Sequence, residues 1–164
     1  MQKLVVTTSH KARQETRRDA EEFAQRWRLD FVDRNDQPLD ALLATFDAAL
    51  IVTNNDKQIA TADGILKSHL GTAFIRLKSL SRDDGDPLIR AGDLQAGDEV
   101  IDTTFGLGRD GIVAACAVGP TGSVTGLESS PPLFHLANHG LSNGPFSHES
   151  LLEEFGLAAA RTVV

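Results

Sequence analysis

Three glycines stand close together in the stretch VIDTTFGLGRDG, residues 100–111, at Gly106, Gly108 and Gly111. The spacing G-x-G-x-x-G is common in turns and is weak evidence by itself. Between a strand and a helix, however, a glycine turn lets a ligand approach the backbone and meet the helix N-terminus. The strand-like run EVI precedes Gly106, and the helix-like segment GIVAACAVG begins at Gly111. The stretch therefore predicts a cofactor-binding turn.

Two carboxylates accompany this turn in the predicted strand-helix-strand unit. Asp102 stands at the end of the first strand, and Glu128 ends the next strand, SVTGLE, twenty positions after Gly108. A carboxylate at the second of these positions can accept hydrogen bonds from both hydroxyls of a ribose. The turn and the carboxylates together predict a cofactor that contains a ribose.

The charge of Asp102 distinguishes between two such cofactors. A dinucleotide such as NAD lays its pyrophosphate against the turn, and an ionised Asp102 about 4 Å away would repel it by about 1 kcal/mol even in high dielectric. S-adenosylmethionine carries an ammonium and a sulfonium with only one carboxylate, so Asp102 attracts it. The four-residue spacing from Asp102 to Gly106 also predicts a longer turn than the tight turn of dinucleotide-binding enzymes. The residues favour the methyl donor over NAD.

The sequence resembles a known family at these positions. VIDTTFGLGRDGIVAA followed by VTGLESSPPLFHLANHGL is similar to the class I methyltransferase group that includes bacterial small-subunit rRNA guanine-N2 methyltransferases and their uncharacterised relatives in Gram-positive bacteria. LVVTTS and AFIRLKSL…DPLIRAGDLQAGDEVID resemble the leading segment of those relatives. The resemblance implies S-adenosylmethionine as cofactor and an RNA base as substrate. By position, the implied cofactor-lining residues are Asp102, Gly106, Gly108, Arg109 and Asp110, with Glu128 and Ser129 at the ribose and adenine side.

Simpler interpretations stay open for some of these residues, and no catalytic residue can be named. Gly106 and Gly108 could form only a turn, Asp110 could be a helix-start charge, and Arg109 could be a surface charge. The resemblance implies an Asp-Pro motif after the fourth strand of the domain, where it positions the methyl acceptor, and this sequence ends at RTVV before that strand. We therefore expect a C-terminally truncated methyltransferase that acts on RNA. The alternative is a non-catalytic binding or interaction module, and the third interpretation is an NAD-dependent oxidoreductase.

Alternating strand and helix patterns in the N-terminal half predict a small α/β subdomain over residues 1–82. The strands are KLVVTT, LDFVDR, AALIVTN and a fourth around Phe74, Ile75 and Leu77. Between the first two strands, apolar residues recur at helical spacing, and Ser9 is a candidate N-cap for that helix. A shorter helix precedes the third strand.

The glycine- and aspartate-rich segment around residues 83–98 predicts a linker. After it, strands and helices alternate again, with a helix from Pro131 to Leu141, another over residues 147–160 and a final RTVV. This order predicts a parallel sheet with helical crossovers. We expect residues 99–164 to form a Rossmann-like domain of the class I methyltransferase type, incomplete at the C-terminus.

The net charge of −7 is concentrated in the C-terminal half. Residues 1–90 are balanced, whereas residues 91–164 hold two basic and nine acidic residues. The stretch 65–82 contains no acidic residue and four basic ones, Lys67, Arg76, Lys78 and Arg82. It is a candidate contact for ribosomal RNA, although a solvated strand face would account for the same residues.

Further features limit location, metal binding and assembly. The absence of a long apolar run and of a signal-peptide pattern predicts a cytoplasmic protein without a membrane contact. The lone Cys116 excludes an internal disulfide. His135 and His139 lack a third ligand and are expected at the surface, so no metal site is predicted. The short apolar strand EVIDTT predicts a homo-oligomer unless the chain's own N-terminal strands cover its edge.

Overall fold

The computed structural model describes residues 3–35, 37–68, 71–80 and 85–142, and the backbone of residues 161–163. The chain forms two compact units, Met1–Ser68 and His69–Val164. The sequence placed the division later, in a linker over residues 83–98. The difference arises because the segment that follows Ser68 packs inside the second unit as a helix.

The first unit is a five-stranded sheet with helices between its parallel strands. Its elements are β1 (Leu4–Thr8), α1 (Gln14–Trp27), β2 (Asp30–Phe31), α2 (Leu39–Leu43), β3 (Ala48–Val52), β4 (Lys57–Thr61) and β5 (Gly64–Lys67). The strand order is β2-β1-β3-β4-β5, in which β1 is parallel to β2 and β3, while β4 and β5 are antiparallel. Every residue of β1 and β3 is buried, which explains the continuous apolar run of β3, and β1 ends in the buried threonines Thr7 and Thr8.

The first helix begins later than its predicted cap. Ser9 does not cap α1, because the N-cap is Arg13 and it makes no side-chain cap hydrogen bond. Asn54, from the loop after β3, binds this helix start instead: its Oδ1 accepts from Arg13 N at 3.2 Å and from Thr16 Oγ1 at 2.6 Å. A tertiary contact thus satisfies the helix terminus that the local sequence leaves open.

The predicted fourth strand around Phe74 is wrong, since this segment is a helix. The strand that follows β3 is β4, which forms a hairpin with β5. Residues Gly71–Ser79 form α3, where Ala73 and Leu77 are buried and Ile75 is 66% exposed. In a strand, residues 73, 75 and 77 would share one face. Burial at i and i+4 with an exposed residue between them has the helical period instead.

The second unit contains a parallel three-stranded sheet, with the order β6-β7-β8. Its elements are α3, α4 (Pro87–Gly92), β6 (Glu99–Asp102), α5 (Arg109–Val118), β7 (Ser123–Gly126), α6 (Pro131–Ser142) and β8 (Arg161–Val163). The alternation of strands and helices agrees with the sequence prediction. The helix predicted over residues 147–160 lies outside the described residues.

Helix α5 holds the second unit together because both of its sides are apolar. Ile112 and Val113 pack with Ala73 and Leu77 of α3. On the other side, residues 114, 115 and 118 of α5 pack with Val124 of β7. Removal of this apolar area from water is what fixes the helix on the sheet.

Strand β6 lies at one edge of this sheet. Among the described residues it pairs only with β7, and its Ile101 is 68% exposed. Self-association through this edge stays a prediction.

Candidate functional site

The carboxyl ends of β6 and β7 bring the predicted site residues together. The two strands are parallel with Asp102 opposite Gly126. Leu127 N donates to Asp102 O at 2.7 Å, and Phe105 N donates to Leu127 O at 3.1 Å. The loops that follow the strands are therefore joined to each other by backbone hydrogen bonds.

The glycine turn between β6 and α5 depends on two left-handed residues. Gly106 has φ +57° and Gly108 has φ +79°, a region that residues with a side chain rarely adopt. Gly108 N donates to Phe105 O at 2.9 Å, and Ile112 N donates to Gly108 O at 3.0 Å, which starts the helix. The two glycines face different surroundings. A Cβ at Gly106 would meet only Thr104 O, at 3.9 Å, so the space beside it is open to a ligand.

Phe105 is the residue that sequence analysis missed. Its side chain is 3% exposed, and the ring lies against Gly108, Gly111 and Gly126. A Cβ at these glycines would come within 2.8, 2.4 and 2.2 Å of ring carbons. Gly108 and Gly111 thus make room for this ring. The sequence signal for this buried ring was a single aromatic residue next to glycines in TTFGLG.

Glu128 lies beside the turn, in the loop two residues beyond the end of β7 rather than in the strand. Its Oε2 accepts from Gly106 N at 2.9 Å, and its Oε1 accepts from Ser130 N at 2.7 Å. These bonds hold the half-buried carboxylate in one orientation. A carboxylate oxygen has a second lone pair, so both oxygens can also accept from ligand hydroxyls. Ser129 is exposed next to it.

Asp102 and Asp110 line one cavity of about 350 Å³. Asp102 is half-buried, and its Oδ1 accepts from Thr104 N at 2.9 Å. The rest of the lining comes from β6, from Thr103 and Thr104 just before the glycine turn, from helices α4 and α5, and from Leu94 after α4. Glu128 is not part of this lining, and it stands instead on the β7 side of the turn. Arg109 is exposed at the first position of α5.

A buried ion pair supports the acidic side of this cavity. Arg76 Nε and Nη2 donate to Asp86 Oδ2 and Oδ1 at 2.8 and 2.9 Å, and Nη1 donates to Asp110 Oδ1. Asp86 is 1% exposed, and its Oδ1 also accepts from Leu88 N at the start of α4. The hydrogen bond from Arg76 lowers the pKa of Asp86 and raises the pKa of Arg76. Both groups therefore stay ionised.

This pair changes the interpretation of the basic stretch 65–82. Arg76, a candidate RNA contact, is engaged by two carboxylates. Lys78 lies 4.2 Å from the centre of the Phe74 ring, and Lys67 belongs to the first unit. Arg82 lies outside the described residues. An RNA contact through this stretch stays a prediction. Arg76 is its weakest candidate residue, because its guanidinium already binds Asp86 and Asp110.

Two other reactive side chains of the second unit are Cys116, which is half-buried, and His135, which is buried. Burial raises the pKa of the Cys116 thiol to about 11, so the thiol is protonated at neutral pH. His135 is 6% exposed, against the expectation that it lies on the surface, and burial lowers its pKa. The described residues contain no group of three or more histidine, cysteine or acidic side chains that could hold a metal ion. Within the same residues, no helix has the length and apolar character needed to span a membrane.

Known proteins similar to this chain include one sequence relative and two solved structures. No protein-family model matches the chain. It is 32% identical over 162 residues to the uncharacterised protein YpiP of Bacillus subtilis strain 168, covering 98% of this chain and 62% of YpiP. The SAM-dependent methyltransferase NGO1261 from Neisseria gonorrhoeae matches with a TM-score of 0.58 and 17% identity, over 89% of this chain and 56% of that protein. TrmN from Thermus thermophilus matches with a TM-score of only 0.33 and 16% identity, over 98% of this chain and 45% of TrmN.

These similarities define the fold class. The chain has the Rossmann-like α/β fold of class I methyltransferases, as the sequence predicted. It spans 62% of the length of YpiP and 56% of the length of NGO1261.

Proposed function

We propose that this chain forms the S-adenosylmethionine site of a methyltransferase that acts on RNA, with a ribosomal RNA base as acceptor. The observation that carries the proposal is the junction of two strand ends. Asp102 Oδ1 accepts from Thr104 N just before the turn, and Glu128 Oε2 accepts from Gly106 N within it, so a carboxylate is fixed on each side of one glycine turn. The fold supports this use of the turn, because ligands of open α/β sheets bind beyond the carboxyl ends of the strands.

Asp102 would hold the cationic end of the cofactor. It lines the cavity beside the turn together with Asp110, and none of the described residues of that lining is basic. Part of the Asp110 charge is compensated by Arg76. Asp102 therefore supplies the main attraction for the ammonium and sulfonium groups, and it would repel the pyrophosphate of NAD.

Glu128 would orient the ribose. Two backbone N–H groups fix its carboxylate, so little conformational entropy is lost when ribose hydroxyls bind to it. Open space beside Gly106 allows the cofactor to approach the backbone. The proposed cofactor lining is completed by Gly108, Arg109, Asp110 and Ser129.

The methyl-transfer step needs more than this binding site. When bound, S-adenosylmethionine supplies an electrophilic methyl group on a sulfonium. Transfer requires an in-line approach of the acceptor, which depends on positioning. The residues named here bind and orient the methyl donor, and the RNA acceptor is inferred from the resemblance of the D-x-T-x-G-L-G-R-D segment to RNA methyltransferases.

Calorimetry with the 164-residue chain tests the cofactor. We expect S-adenosylmethionine and S-adenosylhomocysteine to bind and NAD not to bind. Asp102→Asn should lower the affinity for S-adenosylmethionine by about tenfold or more, since a hydrogen bond to a charged group contributes about 1.5–3 kcal/mol. The loss should be smaller for S-adenosylhomocysteine, which lacks the sulfonium. Glu128→Gln should weaken both ligands equally.

Asp93→Asn is the matched control. Asp93 is exposed at the end of α4, and its substitution removes the same charge as Asp102→Asn. It should leave both affinities unchanged. Binding of NAD without binding of either methyl-donor ligand would overturn the cofactor proposal. Transfer of a labelled methyl group to total RNA then tests the acceptor: cofactor binding without transfer would favour the non-catalytic module.

A further inference from the structure

The first unit has a second place where an open sheet can bind a ligand. Strands β1 and β2 are parallel neighbours, so the loops that follow them leave the sheet at the same edge. Ligands of open α/β sheets bind in crevices beyond the carboxyl ends of the strands. The sequence did not single out this position.

A cavity of about 200 Å³ lies at the end of β1 and β2. One wall is the β1–α1 loop, including Thr8, Ser9 and Lys11, and the other is the segment after β2, including Arg34. A water molecule takes about 30 Å³ in the liquid, so the cavity has room for a small polar group and bound water.

The lining of this cavity is cationic. Among the described residues, its permanently charged basic side chains are Lys11, Arg17 and Arg34, and its carboxylate is Asp33. Arg17 is engaged, because its Nη1 lies 2.5 Å from Asp33 Oδ2 and its Nε 3.2 Å from Glu21 Oε1. Within the described lining, Lys11 and Arg34 therefore have no further carboxylate to balance them.

Arg34 is the most informative of these cations. Its side chain is only partly exposed, and its buried Nε donates to no acceptor in the described part of the chain. Buried guanidinium N–H groups are almost always hydrogen-bonded, so an orphaned one marks a missing acceptor. Lys11, exposed on the facing loop, makes no ion pair within the described residues.

We infer that this cavity binds a phosphate group. Phosphate matches the lining because its oxygens accept from a planar guanidinium, from a lysine ammonium and from the hydroxyls of Thr8 and Ser9 at once. The inference goes beyond the cofactor proposal, since it concerns the other unit and another ligand. The phosphate could belong to a free nucleotide or to an RNA backbone, which share this chemistry.

Titration of the labelled full chain with inorganic phosphate, followed by NMR amide shifts, tests the site. We expect saturable shifts confined to residues 8–12 and 33–35. Lys11→Gln and Arg34→Gln should each weaken binding about tenfold. Lys11 is exposed, so its replacement keeps the test valid even if Arg34→Gln fails to fold.

Arg26→Gln is the control. Arg26 lies nine residues beyond Arg17 on α1, about 13 Å away along the helix, and its loss removes the same charge. The phosphate affinity of the Arg26→Gln variant should stay within about twofold of that of the unsubstituted chain. Shifts that grow linearly with phosphate concentration, or that respond equally to Arg26→Gln, would overturn the inference.

Two further ligands identify the source of the phosphate. Tighter binding of adenosine 5′-monophosphate than of a short single-stranded RNA supports a nucleotide site. Tighter binding of the RNA than of adenosine 5′-monophosphate, together with a loss of RNA affinity in Lys11→Gln, supports an RNA contact. Binding of S-adenosylmethionine should be unchanged in Lys11→Gln, so failure of this inference is distinguishable from failure of the cofactor proposal.

Discussion

In the first unit the loop after β1 contributes Lys11 to a cationic cavity, whereas in the second unit Asp102 and Asp110, at either end of the loop between β6 and α5, line an acidic one. Both loops join a parallel strand to a helix, so both offer a crevice and backbone N–H groups. The side chains alone decide whether the ligand is an anion or a cation. Two related topologies in one chain are thereby suited to ligands of opposite charge.

The two loops also differ in how their geometry is maintained. Asn54 binds the start of α1 through polar contacts. The turn before α5 instead rests on the buried ring of Phe105, packed against glycines. The acidic site should therefore be the more sensitive of the two to a loss of packing.

The largest expected effect follows from this difference. Phe105→Ala should lower the free energy of unfolding by about 3–5 kcal/mol, because it leaves a cavity under the turn. Leu127→Ala, at a residue 52% exposed, is the control and should cost less than about 1 kcal/mol. Urea denaturation measures both. A loss below about 1 kcal/mol for Phe105→Ala would show that the turn does not depend on this ring.

Arg76→Gln should have the next largest effect. It leaves Asp86 buried without its cation, which costs about 3 kcal/mol in comparable pairs. Lys78→Gln, on the same helix, should change stability by less than about 0.5 kcal/mol. Equal effects of the two substitutions in thermal denaturation would contradict a special role for the Arg76–Asp86 pair.

The pair also has a defined pH dependence. Because Arg76 lowers the pKa of Asp86, its contribution is present above the usual aspartate pKa of about 3.9 and is lost as pH falls through the lowered value. Arg76→Gln should abolish this acid-dependent part of the stability.

The smallest expected effect concerns His135, which belongs to the second unit. Burial lowers its pKa, so the unfolded chain binds the proton more tightly than the folded one. Stability should be full above the ordinary histidine pKa of about 6.5 and should decrease as pH falls below it. His135→Gln should remove this slope between pH 6.5 and 5 in denaturation curves, whereas replacement of the exposed His10 should leave it. An unchanged slope in His135→Gln would contradict the assignment.

Local patterns predicted much of the second unit. Asp102, Glu128 and the glycine turn could be placed at two strand ends because strand and helix periods are local, and parallel strands end at one edge of a sheet. The error at Phe74 arose because a short apolar segment fits both periods, and only packing of Ala73 and Leu77 on α5 selects the helix. The cap at Asn54 was missed because it joins residues far apart in sequence.

The alternation of strands and helices from β6 to α6, the glycine positions and the charge of Asp102 were determined by the sequence, because each follows from local residue types. Tertiary structure decided that Arg76 neutralises part of Asp110, that Phe105 underlies three glycines, and that Lys11 and Arg34 face one cavity. Each of these depends on residues separated along the chain, whose proximity is set by packing rather than by spacing.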